Sequence, residues 1–359
     1  MSFFDFIEHL MLGAFRMLAG NASAVRLETV AQWHHPILTP PVERPRRSRM
    51  YMRSLIYARS TAQWLEFLWS TPSLLFAARH NPDLCEKIHR PYMMKRLACE
   101  ARRNLLTSHY RLTQQHPVGA LLLLASLQRQ SLGKIQGKTG QIYELTLEPS
   151  GSLQKEGELK LSLEHEGQSI MALAFTCGDD QKRPALFVGC LQGSPHSSNR
   201  DSIKDATKEM FGLRPRNLLL TALQALAEGL GAFTILAVND QEHIYRHWRK
   251  RKTIFQSYDA MWSDLGARQR ADGLFVLPES RPGRKLEKFE LSMLNPFVPL
   301  KWALTFAALI PLMAIFVIMN FVGTMYGTVW ALFSDADELG AVVAAGQAAF
   351  FDRFVQFDV

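Results

Sequence analysis

The sequence predicts an α+β protein: a helical N-terminal region, then a mixed α/β domain, then a C-terminal apolar helix. Three observations carry that reading. Apolar residues recur at helical spacing as far as about residue 132. From about Gly133 the period drops to two, with Leu159, Leu161 and Leu163 alternating with Lys160 and Ser162. Residues 302–334 then hold no charged side chain at all. Across 359 residues these shifts mark out 1–53 as an amphipathic helix with a basic proline-rich linker, and 54–132 as a helical region. Residues 133–290 form the α/β domain, 300–334 a transmembrane helix and 335–359 an acidic and apolar tail.

Composition narrows the function classes. Hydrophobic residues make up 47% and charged residues 21%, which is the balance of a globular chain. Lys and Arg number 41 against 33 acids, and five of those acids fall in 335–359 beside one cation, Arg353, so residues 1–334 carry a net +12. Such a body is attracted to anionic partners: lipid headgroups, phosphorylated small molecules or nucleic acid. No nucleic-acid-binding motif accompanies the charge, so inner-membrane lipid and a phosphorylated cofactor are the expected partners and specific nucleic acid is not. Cys85, Cys99, Cys177 and Cys190 contain no C-x-x-C pair and read as reduced, buried thiols.

Phe3, Phe6, Ile7, Leu10, Ala14 and Leu18 line one face of an N-terminal helix that either packs on the body or touches a membrane surface. Asp5, Glu8 and Arg16 argue against a signal peptide. Residues 32–49 combine four prolines with Arg44, Arg46, Arg47 and Arg49, predicting an extended basic connector. Helical segments follow, separated by Pro72, Pro82, Pro91 and Pro117. Strands are expected at 141–148, 159–163, 169–176 and 185–191, joined by turns at Glu166-Gly167 and Gly178-Asp179 into an antiparallel meander. Next come a helix over 201–210 and a long one over 215–231, with Leu219, Leu223, Leu226 and Leu230 in one stripe. The apolar run 232–239 suits a central buried strand, a helix follows Asn239-Asp240, and 273–278 is the last strand.

A helix through residues 302–334 would extend about 50 Å, beyond the roughly 30 Å hydrocarbon core, so one tilted or kinked span fits. Pro311 would kink it, and Gly323 and Gly327 would allow close helix packing. Lys285, Lys288 and Lys301 before it and Asp335, Asp337 and Glu338 after it put the main domain on the cytoplasmic side of a bacterial inner membrane. The alternative is a buried helical hairpin.

Four segments, KEGELKLSL (155–163), ALFVGCLQG (185–193), IKDATKEMFGLRPRNLL (203–219) and YDAMWSDLGA (258–267), together resemble the VirK/YbjX family of Gram-negative bacteria. Weaker likeness in RPYMMKRL (90–97) and Ser108-His109-Tyr110 extends it over roughly 54–280. The resemblance implies a link to virulence and to tolerance of cationic antimicrobial peptides, with no assigned reaction. The apolar tail departs from the family pattern.

The element order of the α/β domain is similar to that of GCN5-related acyltransferases, and this likeness implies acyl-CoA between two splayed central strands. Gly212, Arg214, Arg216 and Asn217 stand at the start of the long helix, where backbone N–H groups and guanidinium groups would face a pyrophosphate. The signature Gln/Arg-x-x-Gly-x-Gly/Ala is absent and a helix intervenes. Asn239 stands where such enzymes place a cofactor-facing asparagine, and Tyr245 where they place a general acid. Glu156 or Glu158 is the candidate base, and Gln192 sits in a candidate bulge that would open the sheet toward the cofactor. Each has a plainer reading: a helix start for 212–217, a cap for Asn239, a packed ring for Tyr245 and a charged turn for 155–158. His243 and His247 share a helix face without a third ligand, so no metal is expected. Residues 243–252 read instead as a basic face, either resting on anionic headgroups or merely solvated. The function expected is a membrane-attached, acyltransferase-like protein acting on an envelope component with acyl-CoA or a related small-molecule thioester; the alternative is a non-catalytic envelope-stress accessory protein that binds membrane or a protein partner.

Overall fold

In a computed structural model, residues 3–34, 40–115, 117–194, 199–232, 234–245 and 257–278 are described, and all lie in one unit within Met1–Pro296. Helices come first: α1 (Phe3–Ala19), α2 (Asn21–His34), α3 (Pro40–Ile56), α4 (Ala58–Leu68), α5 (Pro72–His80), α6 (Asp83–Glu86), α7 (Cys99–Gln115) and α8 (Pro117–Ala125). Proline explains several of their starts. In α5, Pro72 takes the first helical position, where the missing N–H has no acceptor to lose, and the Thr71 hydroxyl accepts from Leu74 N–H at 3.4 Å.

Residues 40–56 are helical where the prolines predict an extended connector. Pro40 and Pro41 open α3, where unpaired N–H groups are normal, so only Pro45 removes an intrahelical bond. Buried Glu8 meets Arg47 Nε at 2.6 Å and accepts from the Ser48 hydroxyl at 2.9 Å, pinning α1 to α3 by a polar contact. Phe15 is buried, and of the expected contact stripe Ile7 and Ala14 are half-buried whereas Phe6, Leu10 and Leu18 are 52%, 61% and 68% exposed.

The strands are β1 (Gln130–Gln136), β2 (Ile142–Pro149), β3 (Leu159–His165), β4 (Gln168–Asp180) and β5 (Arg183–Gly193), followed after two helices by β6 (Thr234–Ala237) and finally β7 (Arg268–Gln269) and β8 (Phe275–Val276). Among the described residues they form one sheet in the order β1-β2-β3-β4-β5-β6-β8-β7, in which β5 and β6 are the parallel neighbours and the other pairs are antiparallel. Glu166-Gly167 and Gln181-Lys182 close two-residue hairpins with positive φ at both positions, the conformation whose twist matches the strands. The second turn lies beyond the expected Gly178-Asp179 because β4 continues to Asp180.

Helices α9 (Asn199–Glu209) and α10 (Pro215–Gly229) connect β5 to β6, and α11 (Tyr258–Asp264) lies between β6 and β7. Leu219, Leu223, Leu226 and Leu230 are buried, as their stripe predicts. Strand alternation divides the core into two layers. Leu186, Val188, Ile235 and Ala237 join residues of α8, α10 and α11, whereas Ala185, Phe187, Leu236 and Val238 join residues of α1 to α7.

The predicted fold class needs one correction. The mixed sheet with helices is present, but no helix among the described residues is long and apolar enough to cross a membrane. The predicted span at 300–334 and the tail at 335–359 lie outside the described residues. The physical reason the prediction overreached is that an uncharged run satisfies the length criterion in a bilayer and in a protein core alike.

Candidate active site

The parallel pair opens into a fork. Ala185–Val188 pair with Thr234–Ala237, and Val238 N–H donates to the Val188 carbonyl at 3.0 Å. Beyond that bond, β5 runs on to Gly193 against β4, and the chain leaves β6 into the turn at 239–245. The β4–β5 register also slips here: Ala174 faces Cys190, Phe175 faces Val188, and Gly189 is the bulged residue between.

Residues 155–158 cross the sheet at this bulge, and two glycines make room for them. A Cβ at Gly189 would collide with the Glu156 carbonyl, and one at Gly157 would crowd the Phe175 backbone. Met93 N–H donates to the Lys155 carbonyl at 2.7 Å and Glu158 N–H to that of Phe175 at 3.0 Å, which fixes the crossing.

Glu156, Cys190, His243 and Tyr245 meet in the fork. Glu156 Oε1 lies 3.0 Å from His243 Nε2, with both side chains buried, though Nε2 has no aligned hydrogen bond. His243 Nδ1 accepts weakly from Tyr245 N–H at 3.4 Å, so the ring's proton belongs on Nε2, facing the carboxylate. Tyr258 stacks on His243 with centroids 4.5 Å apart, and Trp262 Nε1–H donates to the Val238 carbonyl at 2.9 Å. Burial and the neighbouring Glu156 hold the Cys190 thiol neutral, well above its usual range. Burial, then Glu156 and Cys190, likewise raise the phenol of half-buried Tyr245. The arrangement gathers a carboxylate, an imidazole, a thiol and a phenol at a strand separation, groups chemically able to accept or donate protons.

The other carboxylate expected here, Glu158, is elsewhere. It contacts Lys87 and accepts from the Tyr110 hydroxyl at 3.0 Å. Burial pushes its carboxyl up, but Lys87, His109 and hydrogen bonds outweigh that and leave it below the usual range. Tyr92, Thr176 and His109 complete this buried network, with Tyr92 and Thr176 hydroxyls 2.5 Å apart and His109 Nδ1 accepting from Cys177 N–H at 3.1 Å.

Gly212 sits at φ +87° and donates to the Thr207 carbonyl at 2.8 Å, so it caps α9 at its C-terminus. Arg214 and Asn217 are exposed at the start of α10, and Arg214 caps that helix through its carbonyl. Arg216 lies 3.6 Å from Asp264 at the end of α11, with its buried Nε unpartnered among the described residues. Asn239 is buried and accepts from Glu242 N–H at 2.7 Å, a turn cap. Gln192 pairs in register with Ala172, and the bulge falls at Gly189, three residues earlier. His247 lies outside the described residues, and among the described residues no group of three His, Cys, Asp or Glu is arranged for a metal.

The structure therefore brings Glu156 and Tyr245 together, leaves Glu158 in a separate network, and adds Cys190 and His243. The sequence held the first of these additions inside ALFVGCLQG as one more apolar strand residue and the second only as half of a histidine pair.

A family profile described as "Protein of unknown function (DUF535)" matches residues 41–291. The chain belongs to the VirK/YbjX family. One VirK/YbjX relative is the "Uncharacterized protein YbjX" of Escherichia coli (strain K12), 30% identical over 237 residues, which cover 65% of this chain and 72% of that protein. "Membrane protein LapB" of Mannheimia haemolytica is 24% identical over 54% of this chain and 82% of its own length. A Haemophilus influenzae "Uncharacterized protein" is 23% identical over 67% of this chain and 81% of that protein. No solved structure is a significant match. The match of this VirK/YbjX chain spans the fork, its four polar residues and every strand.

Proposed function

We propose that this VirK/YbjX protein is an acyltransferase of the GCN5-related type that modifies an envelope component. The observation that carries the reading is the fork: one parallel pair in an otherwise antiparallel sheet, separating after Val188 and Val238 beside a bulge at Gly189, with Glu156 and Tyr245 inside. Acyl-CoA or a related thioester would supply an activated acyl group. Its phosphates suit the start of α10, where Arg214 is exposed and the Arg216 Nε lacks a partner. Glu156 takes the proton of an amine or hydroxyl acceptor, with His243 holding the carboxylate in place. Tyr245, kept protonated by its surroundings, returns a proton to the departing sulfur.

The relative named a membrane protein and the exposed stripe Phe6, Leu10 and Leu18 support work at a membrane surface. The full-length chain is then expected in the pellet after lysis and ultracentrifugation without detergent; recovery in the supernatant contradicts that part. Titration calorimetry tests the chemistry. The folded chain should release or absorb heat with coenzyme A, and Glu156→Gln and Tyr245→Phe should lower thiol release from a short acyl-CoA at least about 100-fold. No heat at millimolar coenzyme A would favour a non-catalytic accessory protein. Burial favours that reading too, since Glu156 is 2% and His243 1% exposed, so the pair can serve as an internal staple of the fork.

A further inference from the structure

A second concavity lies on the helical side of the molecule, away from α10. Arg46, Arg49 and Arg53 fall at helical positions i, i+3 and i+7 of α3, and with Arg90 and Lys155 they line a cavity of about 450 Å³. Its carboxylates are few and already engaged. Arg46 and Arg90 both contact Asp83 and Glu86, at 3.3 Å and 3.4 Å for Glu86, which itself lines the cavity, so two acids engage two guanidinium groups and fix their direction. Among the described residues Arg53 and Lys155 make no ion pair, and Lys155 instead sits 5.7 Å over the Tyr245 ring. The backbone beneath is locked, since Arg102 donates to the Arg90 carbonyl from a largely buried position.

Positive charge gathered this closely repels itself and costs stability unless an anion offsets it. Burial lowers nearby His89 to about 4; Glu86 opposes that shift, and Arg53, Arg102 and Arg90 add to it. Guanidinium groups with preset directions match phosphate oxygens two at a time. A volume of this size holds a headgroup and exceeds what one small ion needs.

We infer that this cavity binds a phosphate-bearing polyanion, either a soluble diphosphate or a phosphomonoester lipid headgroup, through Arg46, Arg49, Arg53, Arg90 and Lys155. The site shares the 155–158 strip with the fork but none of its proposed acid and base groups, and its test uses no acyl donor. Inorganic pyrophosphate is titrated into the full chain, and vesicles of phosphatidylcholine with about one-third phosphatidic acid are used for co-sedimentation. The double variant R53Q/K155Q should weaken the bound probe about tenfold or more, while K204Q/K208Q, which removes two exposed charges on α9, should leave it unchanged. Pyrophosphate binding alone identifies a soluble ligand; vesicle binding that depends on Arg53 and Lys155 identifies a headgroup. If circular dichroism shows the double variant unfolded, R53K carries the test. It keeps the charge and loses the planar fork, and should weaken binding severalfold. Wild type that binds neither probe, or variants that bind like wild type, would overturn the site.

Discussion

Two histidines make the clearest demand at the scale of single residues. His89 and His109 are buried, and burial lowers each to about 4 from the usual 6.5, against the pull of Glu86 and Glu158 respectively. Above about pH 6.5 they are neutral in both folded and unfolded chains, so they add no pH dependence there. As pH falls from about 6.5 to 4 the unfolded chain takes up protons that the folded chain refuses, and stability drops by about 3 kcal/mol per histidine. Denaturant midpoints between pH 7 and pH 4.5 should show that loss, and His109→Gln should halve it; an unchanged slope in the variant would remove His109 from the account. Gly189 makes a steric demand. Gly189→Ala drives a methyl into the Glu156 carbonyl and should cost about 2–4 kcal/mol in equilibrium unfolding. Glu156 and Tyr245 are legible in the sequence through position: a charged turn before a strand for the first, and the place of a general acid in the acyltransferase-like element order for the second. Cys190 is buried and reduced as its spacing predicts, but its place beside Glu156 and the bulge at Gly189 were illegible, since a bulge is a property of the pairing between two strands and leaves no mark on one of them.

For whole elements, legibility followed periodicity. The Leu219-to-Leu230 stripe of α10 and the alternation of β3 are strong local patterns, and both elements form where they are expected. Strand β1, QSLGKIQ, escaped because it is a half-exposed edge strand with little apolar alternation. Helix α3 escaped because three of its prolines read as a connector, whereas two of them occupy the one part of a helix that tolerates them. The orientation of α1 was lost in part to a polar contact: Phe6, Leu10 and Leu18 face out while Glu8 faces in. Removing the Glu8 charge by Glu8→Ala leaves Arg47 and Ser48 without that partner and should cost about 1–3 kcal/mol in thermal or denaturant unfolding. The Gln181-Lys182 hairpin carries positive φ on two ordinary side chains. Asn-Gly at these exposed positions should add about 1 kcal/mol of stability and raise the melting temperature.

At the scale of all the described residues, the chain is a sheet with a helical layer on each face and a single parallel junction near one side. The parallel β5–β6 pairing came only with the structure, but the antiparallel meander was readable, because short turns force it. The two polar networks were not. Glu156 and Glu158 are two residues apart on a segment that crosses the sheet, so their side chains serve different places: one the fork, the other Lys87 and Tyr110 beneath α7. The same geometry puts Lys155 between the fork and the arginine cavity, which makes 155–158 the strip of chain that both proposed sites share. Hydrogen exchange of the full-length chain with and without millimolar coenzyme A tests the fork most directly. Ligand should slow exchange in 189–193 and 239–245 together with the first turn of α10. Unchanged exchange across all three segments, in a chain shown to be folded, would contradict it.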